Sequence, residues 1–234
     1  MELFGPTIQG EGMVIGRKTM FVRTAGCDYQ CAWCDSAFTW NGLESDKVHQ
    51  MEPAEVLDEL VRLGEDKFNH VTITGGNPAL IGKPMADFVR LCHQRGYEVG
   101  LETQGSRMQE WFYEIDQLTL SPKPPSSMMK TDFDTLDSIV NLLQERGVDF
   151  SLKIAVQDDA DLNYAREVFG RYPDVREKFL QPVNNRANDS GDISAYLLNR
   201  LLWLFEVAIQ DADFNDVRVL PQLHAMVWSN ERER

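Results

Sequence analysis

Cys27-Asp28-Tyr29-Gln30-Cys31-Ala32-Trp33-Cys34, followed directly by Asp35 and Ser36, is the stretch whose reading decides the fold and the chemistry. Three of the chain's four cysteines fall inside it, spaced C-x3-C-x2-C, and the fourth is Cys92. Thiolates are preferred ligands of iron and zinc, so three on one short loop can converge on one inorganic centre. They do not complete a structural zinc site, which takes four ligands, usually as two spaced pairs. A 4Fe–4S cluster held by three cysteines leaves one iron open to a small molecule. The competing readings are three thiols packed as small apolar residues and a disulfide. Clustered spacing favours metal, and an odd number with no sign of an oxidising compartment disfavours the disulfide.

The loop follows an apolar run, residues 19–24, read as a strand that carries Arg23 just before the first cysteine. A guanidinium there can grip a substrate carboxylate with two parallel hydrogen bonds. The competing partner is one of the chain's own acids. These are plentiful: 37 Asp and Glu against 23 Lys and Arg give a net charge of −14 over 234 residues. A general grip on nucleic acid needs a basic face, and no basic run occurs. Composition therefore points to a small-molecule substrate met by individually placed cations. A hydrophobic share of 43% is ordinary for a globular chain. No apolar run approaches the ~20 residues of a membrane span, and the opening Met1-Glu2-Leu3-Phe4 has neither a basic nor an apolar signal region. A cytoplasmic location is expected. No repeat, low-complexity tract or boundary divides residues 1–234, so one domain is expected.

Upstream, Gly and Pro fill four of the nine positions of Phe4–Gly12, which reads as a shaped loop presenting Gln9 and Glu11. Downstream, helix and strand patterns alternate. Helices are expected at 53–63, 84–95, 133–145, 158–172 and 193–207, with a short one at 107–115. Strands are expected at 70–74, 98–103, 117–121, 150–156, 179–183 and from 217 to the turn at Pro221. Cys92 falls on the apolar stripe of its helix and reads as core. Three prolines stiffen the loop that carries Lys123. Residues 38–52 read as a polar connection, and His224 lies in a tail that either closes over ligand or is incidental. Strands separated by helices imply a parallel sheet. Gly75-Gly76, Glu102, Ser121, Lys123 and Gln181 sit at strand C-terminal ends, where (β/α) barrels keep their active sites. The chain is shorter than the ~250 residues of a full barrel. The expected fold is α/β, an incomplete (β/α) barrel of about six parallel strands.

The cysteine loop resembles that of the radical S-adenosylmethionine (SAM) superfamily, whose C-x3-C-x-aromatic-C pattern is met by Cys27, Cys31, Trp33 and Cys34. Thr74-Gly75-Gly76-Asn77-Pro78 is similar to its Gly-Gly-Glu-Pro motif, with Asn77 in place of Glu. Together with Phe4–Gly12, Phe21–Cys27, Cys34-Asp35-Ser36, Glu102–Gly105, Ser121–Pro125 and Pro221–His224, in this order, the chain resembles the 7-carboxy-7-deazaguanine synthase family.

That resemblance implies a 4Fe–4S cluster on Cys27, Cys31 and Cys34 with SAM at the open iron. It implies a 5′-deoxyadenosyl radical that takes hydrogen from C6 of 6-carboxy-5,6,7,8-tetrahydropterin. Ring contraction with loss of ammonia then gives 7-carboxy-7-deazaguanine for queuosine and related deazapurines. By position, Trp33, Gly76, Glu102, Ser121, Pro122, Lys123 and Gln181 meet SAM. Ile8, Gln9, Gly10, Glu11, Arg23, Thr74 and His224 meet substrate, under an N-terminal loop and a closing C-terminal tail. The resemblance further implies Mg2+ on the Ser36 hydroxyl, a homodimer, and an electron donor such as flavodoxin or ferredoxin. The Ser36 hydroxyl competes for this role with a capping function after the loop. Two other functions fit the residues: a radical SAM activase acting on a partner protein, and a non-catalytic zinc-binding module.

Replacing Cys27, Cys31 or Cys34 by Ala is expected to abolish SAM cleavage and lower iron content, whereas Cys92→Ala keeps both. Iron analysis after anaerobic purification checks this; wild-type iron in Cys31→Ala contradicts the assignment.

Overall fold

The computed structural model describes residues 2–65 and 67–234. One eight-stranded sheet runs in sequence order, β1 to β8. Strand β1 (Glu2–Ile8) pairs antiparallel with β2 (Lys18–Thr24). From β2 onward every neighbour is parallel: β3 (His70–Gly75), β4 (Glu98–Thr103), β5 (Gln117–Leu120), β6 (Phe150–Val156), β7 (Glu177–Pro182) and β8 (Val217–Val219). The sheet is open, since β1 and β8 are its two edges. The incomplete barrel expected from sequence is therefore present; its parallel strands β2–β8 number seven against about six expected, and each matches one of the strand patterns read from the sequence.

The first strand corrects the sequence reading. Residues 2–8 form β1, and the loop begins only at Gln9. Gly5 and Pro6 are absorbed in an irregularity of register between Phe4 and Thr7. An edge strand tolerates both residues, because Pro costs no ladder bond on the open side.

The helices follow their expected spans within a residue or two: α1 (Pro53–Gly64), α2 (Lys83–Gln94), α3 (Phe133–Glu145), α4 (Asp159–Arg171) and α5 (Ser194–Ile209). Glu52 and Glu55 form a reciprocal capping box ahead of Pro53, and the side chains of Asp132 and Asp158 cap α3 and α4. Residues 107–115 hold a 3-10 turn, Glu110–Glu114. The tail turns at Pro221 as expected and then forms α6 (Leu223–Trp228), a short helix that the pattern did not announce.

Strand parity sorts the side chains. Met20, Val22, Val71, Ile73, Leu101, Leu118, Leu152 and Ile154 pack in the main core with Leu57, Leu60, Phe88, Val89, Ile139 and Val168 of the helices. Cys92 belongs to this layer and is fully buried, and burial pushes its thiol up to about 12. The other parity is polar. Thr19 Oγ1 lies 3.0 Å from Thr72 Oγ1, and Ser151 donates to Thr119 Oγ1 at 2.9 Å. His70 spans Thr19 and Gln117 at 2.8 and 3.1 Å. Its burial, and then the nearby Arg17 charge, lower its pKa to about 4, so it bridges as a neutral ring. This polar face is the floor on which the site stands.

Candidate active site

Strand β2 delivers the chain into the cysteine loop at the C-terminal edge of the sheet, beside the end of β3. The two are pressed together: Gly76 donates to Thr24 O at 2.9 Å and Asn77 to Gly26 O at 2.8 Å. A Cβ at Gly76 would stand 1.9 Å from Gly26 O, so only glycine permits this approach. The Gly-Gly turn thus has a packing role as well as backbone groups to offer a ligand.

Cys27, Cys31 and Cys34 all face one cavity. Each is partly exposed and free. Among the described residues, the group of metal-binding side chains close enough for a single ion is Glu11, Asp35 and His224, within 4.8 Å of one another; the three cysteines are not such a group. A tetrahedral zinc ion needs its sulfurs on one short radius of ~2.3 Å, whereas a multi-iron core takes thiols further apart. The donors around the sulfurs fit a cluster too. Tyr29 N and Gln104 Nε2 reach Cys27 Sγ at 3.4 and 3.7 Å, and Trp40 Nε1 reaches Cys34 Sγ at 3.4 Å. Such N–H groups tune the potential of a bound cluster. Burial pushes the Cys31 thiol up to about 11 and raises Cys27 as well; coordination to a metal removes the thiol proton and reverses that balance.

Of the residues expected to meet SAM, Trp33, Gly76, Glu102, Ser121, Lys123 and Gln181 line the same cavity. Pro122 is the exception: it is buried behind the wall and does not line the cavity. Trp33 is fixed through its indole N–H to Ser126 Oγ at 2.9 Å. Lys123 Nζ lies 3.1 Å from Ser121 Oγ. Gln181 Oε1 is buried with no hydrogen-bond partner among the described residues, an unmet acceptor in the wall that a ligand donor would satisfy.

Asn77, which stands where the superfamily motif has Glu, bonds to the protein itself. Its side chain is fully buried, accepting from Thr103 Oγ1 at 2.8 Å and Ala79 N at 3.2 Å. It donates to Asp28 Oδ1 at 2.8 Å and Ser106 Oγ at 3.0 Å. Gln104 donates to the same Asp28 oxygen at 2.7 Å. The amide is therefore spent on tying the cysteine loop to the ends of β3 and β4, leaving nothing for SAM.

The residues expected to meet substrate, Ile8, Gln9, Gly10, Glu11, Arg23, Thr74 and His224, also line the cavity. Arg23 is already paired with Glu2 at 2.5 Å, the competing reading of that residue, with its guanidinium near the Phe4 and Phe38 rings. His224 Nε2 is 4.0 Å from Glu11. Gly10 makes room for it: a Cβ there would sit 2.3 Å from His224 Nδ1. Ser36 begins the 3-10 turn Ala37–Thr39, but its side chain makes no capping bond; its hydroxyl is 3.8 Å from Cys34 Sγ.

The residue that sequence reasoning missed is Lys153. It is 3% exposed, lies in the cavity wall, and pairs with Glu102 at 2.6 Å and with Glu11. Burial opposes charge on both partners, yet the attraction between them prevails, holding Glu11 well below the usual carboxylate range and Lys153 above its own. Gln222 adds a bond to Glu11 at 3.0 Å. Trp40, Gln104 and Asp35 were likewise not assigned roles, although all three line the site or touch its sulfurs.

The profile of the Radical SAM superfamily matches residues 21–156. A 7-carboxy-7-deazaguanine synthase from Bacillus cereus is 52% identical over 234 residues, covering 99% of this chain and 97% of that protein. The chain belongs to the 7-carboxy-7-deazaguanine synthase family. The Bacillus subtilis enzyme of the same name is 50% identical, covering 99% of this chain and 96% of its own length. Among solved structures, QueE from Escherichia coli superposes with a TM-score of 0.67 at 24% identity, covering 95% of this chain and 92% of that one, a likeness of fold. As a radical SAM member of this family, the chain is an enzyme whose cofactors are a 4Fe–4S cluster and SAM.

Two outcomes are expected. Asn77→Glu sets a carboxylate against Asp28, costs about 1–3 kcal/mol and lowers iron content; adding Asp28→Asn restores a donor and recovers the iron. Failure of the double variant to recover would show that position 77 acts otherwise. Lys153→Met leaves two carboxylates facing each other, costing about 3 kcal/mol, or about 10 °C in Tm at pH 7. In the wild type Glu11 is depressed, so its contribution is present above the unfolded carboxylate pKa and is lost as pH falls below it. In the variant the unpaired carboxyls are raised and favour acid. The Tm gap therefore narrows between pH 7 and about 4; a constant gap argues against the charge triad.

Proposed function

We propose that this enzyme converts 6-carboxy-5,6,7,8-tetrahydropterin into 7-carboxy-7-deazaguanine with loss of ammonia, a step toward queuosine and related deazapurines. The observation that carries this reading is the gathering of the three loop thiols and all but one of the expected binding residues around one cavity. The near-complete likeness to the Bacillus synthases supports it. When bound, the cluster and SAM supply the radical that starts the reaction. The chain's own residues bind and orient.

Cys27, Cys31 and Cys34 hold the cluster; Trp33, Gly76, Glu102, Ser121, Lys123 and Gln181 hold SAM. Pro122 supports this wall from behind. Glu11, kept ionised by Lys153, accepts from the donor edge of the pterin, whose ring N–H and amino group suit a carboxylate. Gln9, Thr74 and His224 add polar contacts, and Ile8 and Gly10 shape the loop. Arg23 uses the donors that Glu2 leaves free. The tail from Pro221 to Trp228 closes over residues 9–11, through Leu223 N to Gly10 O at 3.0 Å and Gln222 to Glu11, and excludes water. The reductant is a flavodoxin or ferredoxin, the location is cytoplasmic, and the working form is a homodimer.

Mg2+ would be held by the Ser36 hydroxyl, a hard oxygen of the kind this ion favours, and would supply a positive charge for the substrate carboxylate. The Ser36 hydroxyl makes no capping bond and lies beside Cys34 Sγ at the cavity, which supports this role.

Anaerobic turnover of the carboxylated tetrahydropterin by reduced, cluster-loaded protein tests the substrate: product without any added partner protein is expected. SAM cleavage with no product would overturn the pterin reading and leave an activase. For the metal, turnover is expected to rise with added Mg2+ in the wild type and in Ser36→Thr. Ser36→Ala is expected to need about tenfold more Mg2+ at unchanged iron content, in line with the loss of one ligand's worth of binding, ~1.4 kcal/mol. Superimposable Mg2+ titrations of wild type and Ser36→Ala would remove Ser36 from the metal.

A further inference from the structure

Helix α5 carries an apolar stripe that the catalytic site leaves unused; no residue of α5 lines the cavity. Leu198, Leu202, Phe205 and Ile209 are 50, 54, 39 and 77% exposed. Their spacing of four, three and four residues aligns them in one seam, which exposed Ala195 extends by a turn. The other face of the helix, with Leu197, Leu201 and Leu204, is buried against the molecule. A helix that is apolar on both sides is one covered on both sides.

We infer that this seam is the contact between two copies of the chain, with the α5 helices antiparallel about a two-fold axis at Leu202. The inference rests on the homodimer reading above and names its surface. Around such an axis residue i meets j and j meets i. Leu202 then meets its own copy, Ile209 meets Ala195, and Phe205 falls between Leu198 and Asn199. The most exposed large side chain thus faces the smallest one on the seam.

Charge points the same way. From Ala195 to Ile209 the exposed positions hold one charged residue, Glu206. In a chain of net charge −14, this is a strip where two acidic copies approach with little repulsion. Burying the seam on both copies removes on the order of 1,000 Å², the lower bound for a specific interface. A lipid surface fits poorly, because membrane-lying helices flank their apolar face with Lys and Arg. The nearest cation, Arg200, is turned onto Trp203 and Gln157 O.

Light scattering and sedimentation of the cluster-loaded protein provide the test. The wild type is expected to be a dimer at micromolar concentration. Ile209→Glu is expected to weaken dimerisation about 100-fold or more, with circular dichroism and iron content unchanged. Adding Ala195→Lys to the same chain is expected to restore the dimer to within about tenfold. The antiparallel pair sets 195 against 209 of the other copy, whereas within one helix they are about 21 Å apart. Leu202→Gln, on the axis, repeats the disruption by a milder change should Ile209→Glu perturb the fold. A monomeric wild type overturns both the dimer and the seam. A dimer indifferent to both single changes overturns the seam alone and leaves the dimer reading standing. Disruption without rescue by Ala195→Lys overturns the antiparallel register.

Discussion

One buried charge organises the interior of this barrel. Lys153 projects from the inner parity of β6, and an unpaired ammonium there would cost several kcal/mol in lost hydration. Its partners come from far along the chain: Glu102 from the end of β4 and Glu11 from the loop after β1. The pairing fixes where that loop lies, and the loop in turn decides where the tail docks, through Gln222 and His224. Three parts of the chain that share no sheet pairing are held in one geometry by one ammonium. The same arrangement keeps Glu11 ionised in a place where burial alone would neutralise it.

At the cysteine loop the constraint is steric and then polar. Gly26 and Gly76 touch at a distance that no side chain survives, and Asp28 accepts from two amides belonging to separate strand ends. These contacts tie the loop to the sheet through protein atoms alone. Where the superfamily motif is usually written with a carboxylate, Asn77 donates to the carboxylate that faces it. A carboxylate at position 77 would stand against that of Asp28.

Much of this could be read in advance, for particular reasons. The C-x3-C-x2-C loop was legible because three thiols in eight positions have few other uses. The helices were legible because apolar stripes mark their buried faces and Pro53 marks the start of the first. Residues 2–8 were misread because glycine and proline signal a loop locally, while an edge strand can absorb both in a bulge. Lys153 was passed over inside an apparently ordinary strand. Its signal was present: Ser151, Lys153 and Ala155 share one parity, and a lysine on the side that faces the barrel needs a partner. Trp40 lay in a stretch without periodicity, where only three-dimensional proximity reveals a donor to sulfur. The role of Asn77 was invisible because it depends on which loop residue faces it.

The strand order has a consequence for how the enzyme is made. Every strand pairs with its neighbour in sequence, so the sheet can grow one unit at a time, each crossover closing onto the strand before it. The site is built on the opposite plan. Lys153 reaches Glu11 across 142 residues, Gln222 reaches Glu11 across 211, and Arg232 reaches Glu2 across 230. The sheet can therefore be in place before these long-range contacts close the site. Sheet and site thus draw on opposite ranges of the chain, the one on neighbours in sequence and the other on contacts that join its two ends.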